Sequence, residues 1–181
     1  PVCPLWGKLG RHPVPGTSPG GVDATIAGRR VPVGVVVCFE VAYDSTVADT
    51  VRHGAKILAV QSNNSSFIDT AQTPQQWQIT RARAVETGRH IVVSTTNSFS
   101  GLVSPDGSVA LRTEEGVHTH FTVTVPLESG LTIGVQIAPW LRIIVLVMTA
   151  GAIAMSLLQR RRAMLAQANH NRSERNVRHR H

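Results

Sequence analysis

The chain has 181 residues, 42% of them hydrophobic and 4% aromatic, two cysteines and a formal net charge of +7. The apolar content excludes a disordered polar chain, and two cysteines exclude a disulfide-dense mini-protein or a Cys-rich zinc scaffold. Seven of the 18 basic residues but only one of the 11 acidic ones lie in residues 159–181, so the tail carries +6 and the body +1; a near-neutral, aromatic-poor body is not a nucleic-acid-binding surface.

Residues 1–30 hold Pro1, Pro4, Pro13, Pro15, Pro19 and six Gly, a composition that predicts loop. The chain opens on Pro1 without a basic, then apolar, leader, and the expectation is a piece of a longer protein. Val31–Val37 is a β-branched run that suits a buried strand despite Pro32 and Gly34. Asp44 or Ser45 can cap a helix ending at His53, with Gly54 as its stop. Lys56–Gln61 reads as a second buried strand. Pro74–Thr87 reads as a helix closed by Gly88, and Ile91–Thr95 as a third strand. Pro105-Asp106-Gly107 is a turn between Gly101–Val103 and Ser108–Arg112. His118–Val125 alternates and predicts an antiparallel strand. The order β-α-β-α-β followed by a meander predicts a layered α/β sandwich.

Ile137–Leu158 is 22 residues with one charge, Arg142. As a helix it spans roughly 33 Å, against a bilayer core of about 30 Å. Trp140 suits the interface and Pro139 the first helical turn. The triple Arg160-Arg161-Arg162 favours the cytoplasmic side, which puts the body outside the cytoplasm. A buried core helix is the competing reading. Residues 159–181 read as a basic cytoplasmic tail, disordered and near anionic lipid rather than bound to RNA.

The candidate nucleophile is Cys38, which ends the strand Val35-Val36-Val37 and precedes Phe39-Glu40 and a helix. A nucleophile at a strand-to-helix turn projects from the sheet edge, where backbone N–H groups can cradle an oxyanion. Glu40 can supply acid/base or positioning chemistry. A buried core cysteine is the plain alternative. His118 and His120 share a strand face, but no third ligand accompanies them, so a solvated face is favoured over a metal site. Arg83 and Glu86 at i,i+3 read as a structural ion pair. A Cys3–Cys38 disulfide, open to the chain in an oxidising compartment, would block the nucleophile, so Cys3 is expected to be free or incidental.

Four segments in order carry a resemblance: GVVVCFE (Gly34–Glu40), SNNSSF (Ser62–Phe67), QQWQITRARAVETGRHIVVSTTNS (Gln75–Ser98) and SPDGSV (Ser104–Val109). Together they resemble the nitrilase, or carbon–nitrogen hydrolase, superfamily. Within it they are most similar to the apolipoprotein N-acyltransferase branch, which carries C-[YF]-E, an S-N-[DN]-x-x-F loop, an RxRAxExGR helix and a final transmembrane helix. The resemblance implies a partial α-β-β-α sandwich over residues 1–130, its N-terminal part missing, followed by a membrane helix over 137–158. It implies acyl transfer at a bacterial cell membrane, multi-pass in the full protein. Cys38 would take an acyl chain from a phospholipid as a thioester and pass it to the α-amine of a diacylglyceryl-apolipoprotein. Glu40 would support the nucleophile, Phe39 and Asn63 would line the substrate or oxyanion side, and Phe67 would sit on a lipid-facing loop. No cofactor, metal or nucleic acid is implied.

Two positions depart from the family pattern, and two of the family's residues have no counterpart here. Ser66 stands where many members have Trp, and Asn64 where many have Asp. The family's general-base Glu and its Lys precede the nucleophile by more than the 37 residues present here, and neither Lys8 nor Lys56 matches. The expectation is therefore that this chain alone is inactive. A carbon–nitrogen hydrolase cleaving an amide through Cys38, and a non-enzymatic membrane-anchored protein using its basic tail, are the competing functions.

Overall fold

The computed structural model describes the backbone of residues 19–178 and the side chains of residues 19–161 and of Met164. Most of the expected N-terminal loop, Cys3 and Lys8, and the last three residues lie outside the described residues. The chain divides after Gln136 into two compact units.

The first unit is one six-stranded sheet in the order β1-β2-β3-β4-β5-β6. The strands are β1 (Gly21–Ile26), β2 (Arg29–Val37), β3 (Ile57–Ser62), β4 (Ile91–Thr95), β5 (Gly101–Val103) and β6 (Val109–Arg112). β2, β3 and β4 run parallel, and β1, β5 and β6 are antiparallel additions at the two edges. Helices α1 (Asp44–Arg52) and α2 (Gln72–Thr87) make the two crossovers. Right-handed crossovers between strands laid down in one direction put both helices on the same face. Val36, Leu58, Val60, Ile91 and Val93 point to that face and pack with Val47, Val51, Trp77 and Ala84. The alternate residues Val33, Val35, Ala59 and Val92 are half-buried, and Val37, Gln61 and Ser94 are exposed. The described residues thus form one helix layer on one sheet, an α-β half of the expected sandwich.

Two local features explain how tightly α1 sits. A Cβ on Gly34 would stand 2.5 Å from Leu58 Cδ2 and 3.1 Å from Thr50 Oγ1, so only glycine lets α1 approach β2 there. Arg89, 4% exposed, donates Nε to the Ala55 carbonyl (2.9 Å) and Nη2 to the Gly130 carbonyl (2.6 Å). Burial lowers its pKa, the nearby Glu128 opposing that shift, and guanidinium remains charged.

Several expectations are corrected. Residues 21–26 are a strand rather than loop, because Ala27 (φ 50°) and Gly28 (φ 73°) make a two-residue left-handed turn and return the chain onto β2. Asp44 lies inside α1, whose N-cap is Tyr43. His118–Val125 forms no strand: the alternation gives β propensity, but a strand exists only where a ladder pairs it, and this segment pairs with neither edge of the sheet, β1 or β6. Gly88 closes α2 in the left-handed conformation (φ 61°), as expected.

The described residues of the second unit are helical. α3 runs over Ile133–Arg178, so Pro139 falls in its second turn and not its first. Residues 159–178 are also helical, where an unstructured tail was expected. Ala, Leu, Met, Gln and Arg there are good helix formers, and no Gly or Pro follows Gly151. Ile133–Arg161, with a mean hydropathy of 2.2 over its most apolar window and none of that window buried, is long and apolar enough to cross a membrane.

Gly34→Ala is expected to destabilise the first unit by about 1–3 kcal/mol, the usual cost of overpacking. The measurement is the urea midpoint at unchanged slope. An unshifted midpoint would mean that Leu58 and Thr50 yield without cost.

Candidate active site

Parallel pairing sets the first coordinate of the site. Val37 pairs with Gln61, so the next residues, Cys38 and Ser62, emerge side by side at the carboxyl ends of β2 and β3. Ligand sites of open α/β sheets gather at that edge. Cys38 begins a short 3-10 turn, Cys38–Ala42, and has φ 52°, a left-handed conformation that costs a non-glycine residue roughly 1–2 kcal/mol. Cys38 is half-buried, and its Sγ lies 3.4 Å from Ser62 Oγ, its only hydrogen-bond partner among the described residues.

The strained turn is held from α2. Arg83 Nε donates to the Val41 carbonyl (2.9 Å) and Nη2 to the Ala42 carbonyl (2.8 Å). The same guanidinium pairs with Asp44 (2.5 Å) and with Glu86. Burial lowers its pKa, but the bonds to Glu86 and Asp44 outweigh that, so the net shift is upward. The i,i+3 pair with Glu86 read from the sequence is therefore present, but it is one arm of a clamp on the cysteine turn. Gln76, two turns earlier on α2, donates Nε2 to the Cys38 carbonyl (3.0 Å).

Gln76 also belongs to a buried polar cluster beneath the cysteine. Its Nε2 reaches Ser62 Oγ (3.3 Å), its Oε1 accepts from Asn64 Nδ2 (3.0 Å), and Ser62 Oγ donates to Asn64 Oδ1 (2.5 Å).

The five site residues named from the sequence are distributed around this centre. Glu40 is exposed, and its Oε2 accepts from the Val37 N–H (2.8 Å), closing the start of the turn. Phe39 is half exposed and meets Tyr43 edge to face, with ring centroids 6.0 Å apart. Asn63 is exposed; its Oδ1 accepts from the Ser65 N–H (3.2 Å) and from Thr96 Oγ1 (2.9 Å), which fixes the loop. Phe67 is half-buried at the end of the 3-10 turn Ser65–Phe67. Cys38 and Glu40 thus share one turn, while Asn63 and Phe67 belong to the neighbouring loop. Ser62 and Gln76 were not identified from the sequence. Ser62 was visible only as the first letter of its motif, and Gln76 lies 38 residues from Cys38, a distance no local pattern bridges. Among the described residues no group of three His, Cys, Asp or Glu gathers to hold a metal ion, and His118 and His120 belong to no such group.

This strand-end cysteine elbow falls within a recognised family. The carbon-nitrogen hydrolase model matches residues 4–131, and the chain belongs to that family. The apolipoprotein N-acyltransferase of Mycolicibacterium smegmatis is 34% identical over 145 residues, covering 80% of this chain and 24% of that protein. The enzyme of the same name from Gloeobacter violaceus is 35% identical over 66% of this chain and 24% of its own length. Among solved structures, Saccharomyces cerevisiae Nit3, a member of branch 10 of the nitrilase superfamily, is similar at a TM-score of 0.48 and 21% identity, covering 58% of this chain and 40% of that one. The chain spans about a quarter of the length of the curated relatives it matches.

Arg83→Lys removes the fork that reaches two carbonyls and two carboxylates at once. It is expected to cost on the order of 1–3 kcal/mol and to slow alkylation of Cys38, because the turn loses its clamp. Urea unfolding and iodoacetamide labelling of the Cys38 peptide check both; unchanged values in both would remove Arg83 from the site.

Proposed function

We propose that the protein is an apolipoprotein N-acyltransferase that works through a Cys38 thioester. The observation that carries the reading is the cysteine elbow: a half-buried, left-handed cysteine at the carboxyl end of a parallel strand. Relatives of that name over 80% and 66% of this chain support the reading.

In the first half-reaction Cys38 Sγ attacks the ester carbonyl of a phospholipid. The C–O bond to the glycerol oxygen breaks, the lysophospholipid leaves with the thiol's proton, and the acyl group stays on sulfur. In the second, the α-amine of a diacylglyceryl-cysteine attacks the thioester. The C–S bond breaks, an amide forms, and the amine's proton returns to sulfur. Both tetrahedral intermediates carry an oxyanion, and the first N–H groups of the Cys38–Ala42 turn lack partners within that turn. The proton acceptor is the upstream Glu that the family resemblance assigns. Glu40 steadies the turn through Val37, and Phe39, Asn63 and Phe67 form the substrate side.

The setting is a bacterial cell membrane. The apolar stretch of α3 crosses it, Arg160-Arg161-Arg162 stay in the cytoplasm, and Cys38 works outside. The single charge within the span, Arg142, lies beside Trp140 and snorkels to the interface.

Replacing Cys38 by Ala in the cell that makes the protein is expected to leave lipoproteins with diacylglyceryl-cysteine bearing a free α-amine, read by mass spectrometry of their N-terminal lipopeptides. Full N-acylation in that strain would overturn the reading. The 181-residue chain alone, in detergent with phospholipid and a diacylated lipopeptide, is expected to give no N-acylation. Transfer by it would put the proton acceptor among these residues.

A further inference from the structure

The polar cluster under Cys38 can be counted hydrogen by hydrogen. Asn64 Nδ2 donates to Gln76 Oε1 (3.0 Å), and Gln76 Nε2 donates to Ser62 Oγ (3.3 Å) and to the Cys38 carbonyl (3.0 Å). A carboxamide nitrogen carries two hydrogens, so Gln76 makes both bonds at once. The Ser62 hydroxyl carries one hydrogen and faces two acceptors, Asn64 Oδ1 at 2.5 Å and Cys38 Sγ at 3.4 Å. It can serve only one at a time. Ser62, Asn64 and Gln76 are 8%, 3% and 8% exposed, so bulk water is not the alternative partner.

We propose that Ser62 stabilises the Cys38 thiolate by turning its one hydroxyl hydrogen from Asn64 Oδ1 to Sγ when negative charge appears on the sulfur. The proposal rests on Cys38 being the nucleophile and not on the identity of acyl donor or acceptor. A neutral thiol or a thioester sulfur is a weak acceptor, so in those states the hydrogen stays on Asn64. A thiolate makes a charge-assisted hydrogen bond, roughly twice as strong as a neutral one, and draws the hydrogen over. The thiolate exists twice in the cycle: before attack on the donor, and when the acceptor amine expels the sulfur. The move is a rotation about Cβ–Oγ in which no covalent bond forms or breaks. The Gln76 N–H donated into Ser62 Oγ polarises the hydroxyl and strengthens its donation. Asn64 and Gln76 touch no reacting atom and are positioning residues.

The neighbouring charges are otherwise committed. Glu40, on the turn, accepts from Val37 N–H. Asp44 on α1 and Glu86 on α2 pair with Arg83. Arg81 on α2 donates to the Gly107 carbonyl, Asp49 and Arg52 on α1 pair with each other, and β3 carries no charge.

The test is the rate of iodoacetamide alkylation of the 181-residue chain in detergent, followed from pH 6 to pH 10. Cys3 is a second thiol, so the Cys38 peptide is read by mass spectrometry. Ser62→Ala is expected to react about tenfold more slowly at pH 7, with the profile displaced to higher pH and the same plateau. Ser62→Thr keeps the hydroxyl and recovers most of the rate. Asn64→Ala removes the competing acceptor and reacts as fast as the parent chain or faster. An unchanged profile in Ser62→Ala overturns the proposal. So does an Asn64→Ala chain slowed at pH 7 as much as Ser62→Ala, since the cluster would then act only through packing. If Ser62→Ala fails to fold, Asn64→Ala decides: slowing overturns the proposal, and an equal or higher rate supports it. Alkylation needs no acyl donor, so failure of the acyltransferase reading in cells leaves this result standing.

Discussion

Cys38 carries a side chain in backbone territory that favours glycine, and much of the first unit is arranged to keep it there. A residue at φ 52° relaxes unless both flanks are fixed. On one side β2 is locked into the parallel ladder by β3 up to Val37. On the other, the 3-10 turn has three of its carbonyls, those of Cys38, Val41 and Ala42, taken by side chains of α2. Each such bond contributes about 1 kcal/mol, and those from a guanidinium more. Three of them exceed the roughly 1–2 kcal/mol of strain. The elbow is thus stable only while α2 is docked.

That dependence explains the order of the chain. α2 is the second crossover and packs on the sheet through Trp77 and Ala84, both nearly inaccessible. Its polar residues at 76 and 83 lie seven apart, two turns of helix, and so share one side of it. Gln76 reaches the cysteine and Arg83 the end of its turn. The ion pairs of Arg83 do a different task from the one their spacing suggests. Asp44 and Glu86 bind the same fork that meets two carbonyls, and no hydrogen bond runs from it to Sγ.

Legibility follows from the range of the interactions. β2, β3, β4 and α2 were readable because β-branched runs and a Gly stop are local signals. The β1–β2 hairpin was missed because its turn is Ala27-Gly28 rather than Asn-Gly. The alternation of His118–Val125 was read correctly as pattern and wrongly as strand, since pairing is a property of two segments. The loop after β3 shows the limit for a site. Asn63 and Asn64 are adjacent and chemically identical, yet one is exposed and braces Ser65 and Thr96 while the other is buried under the cysteine. Only the backbone direction at the end of β3 separates them. Ser62 and Gln76 meet through register and helix docking, which no stretch of sequence contains.

The start of α3 shows the same accounting of backbone groups. Pro139 has no N–H to give the Val135 carbonyl four residues earlier. That carbonyl accepts instead from Arg52 Nη2 of α1 at 2.6 Å, and Val135 is fully buried. Thr132 Oγ1 donates to the Glu86 carbonyl near the end of α2 and accepts from the Val135 N–H (3.2 Å). The last residues of the first unit are therefore bonded to α1 and α2, the two helices that flank the cysteine turn. A proline usually marks a weak point in a helix because it strands a carbonyl. Here the stranded carbonyl has a charged donor, so the chain passes from the α/β unit into the apolar helix without an unpaired backbone group at Val135. The net charge of +7 fits this division: the +6 of residues 159–181 follows the apolar stretch of α3, and the unit that carries Cys38 is almost neutral.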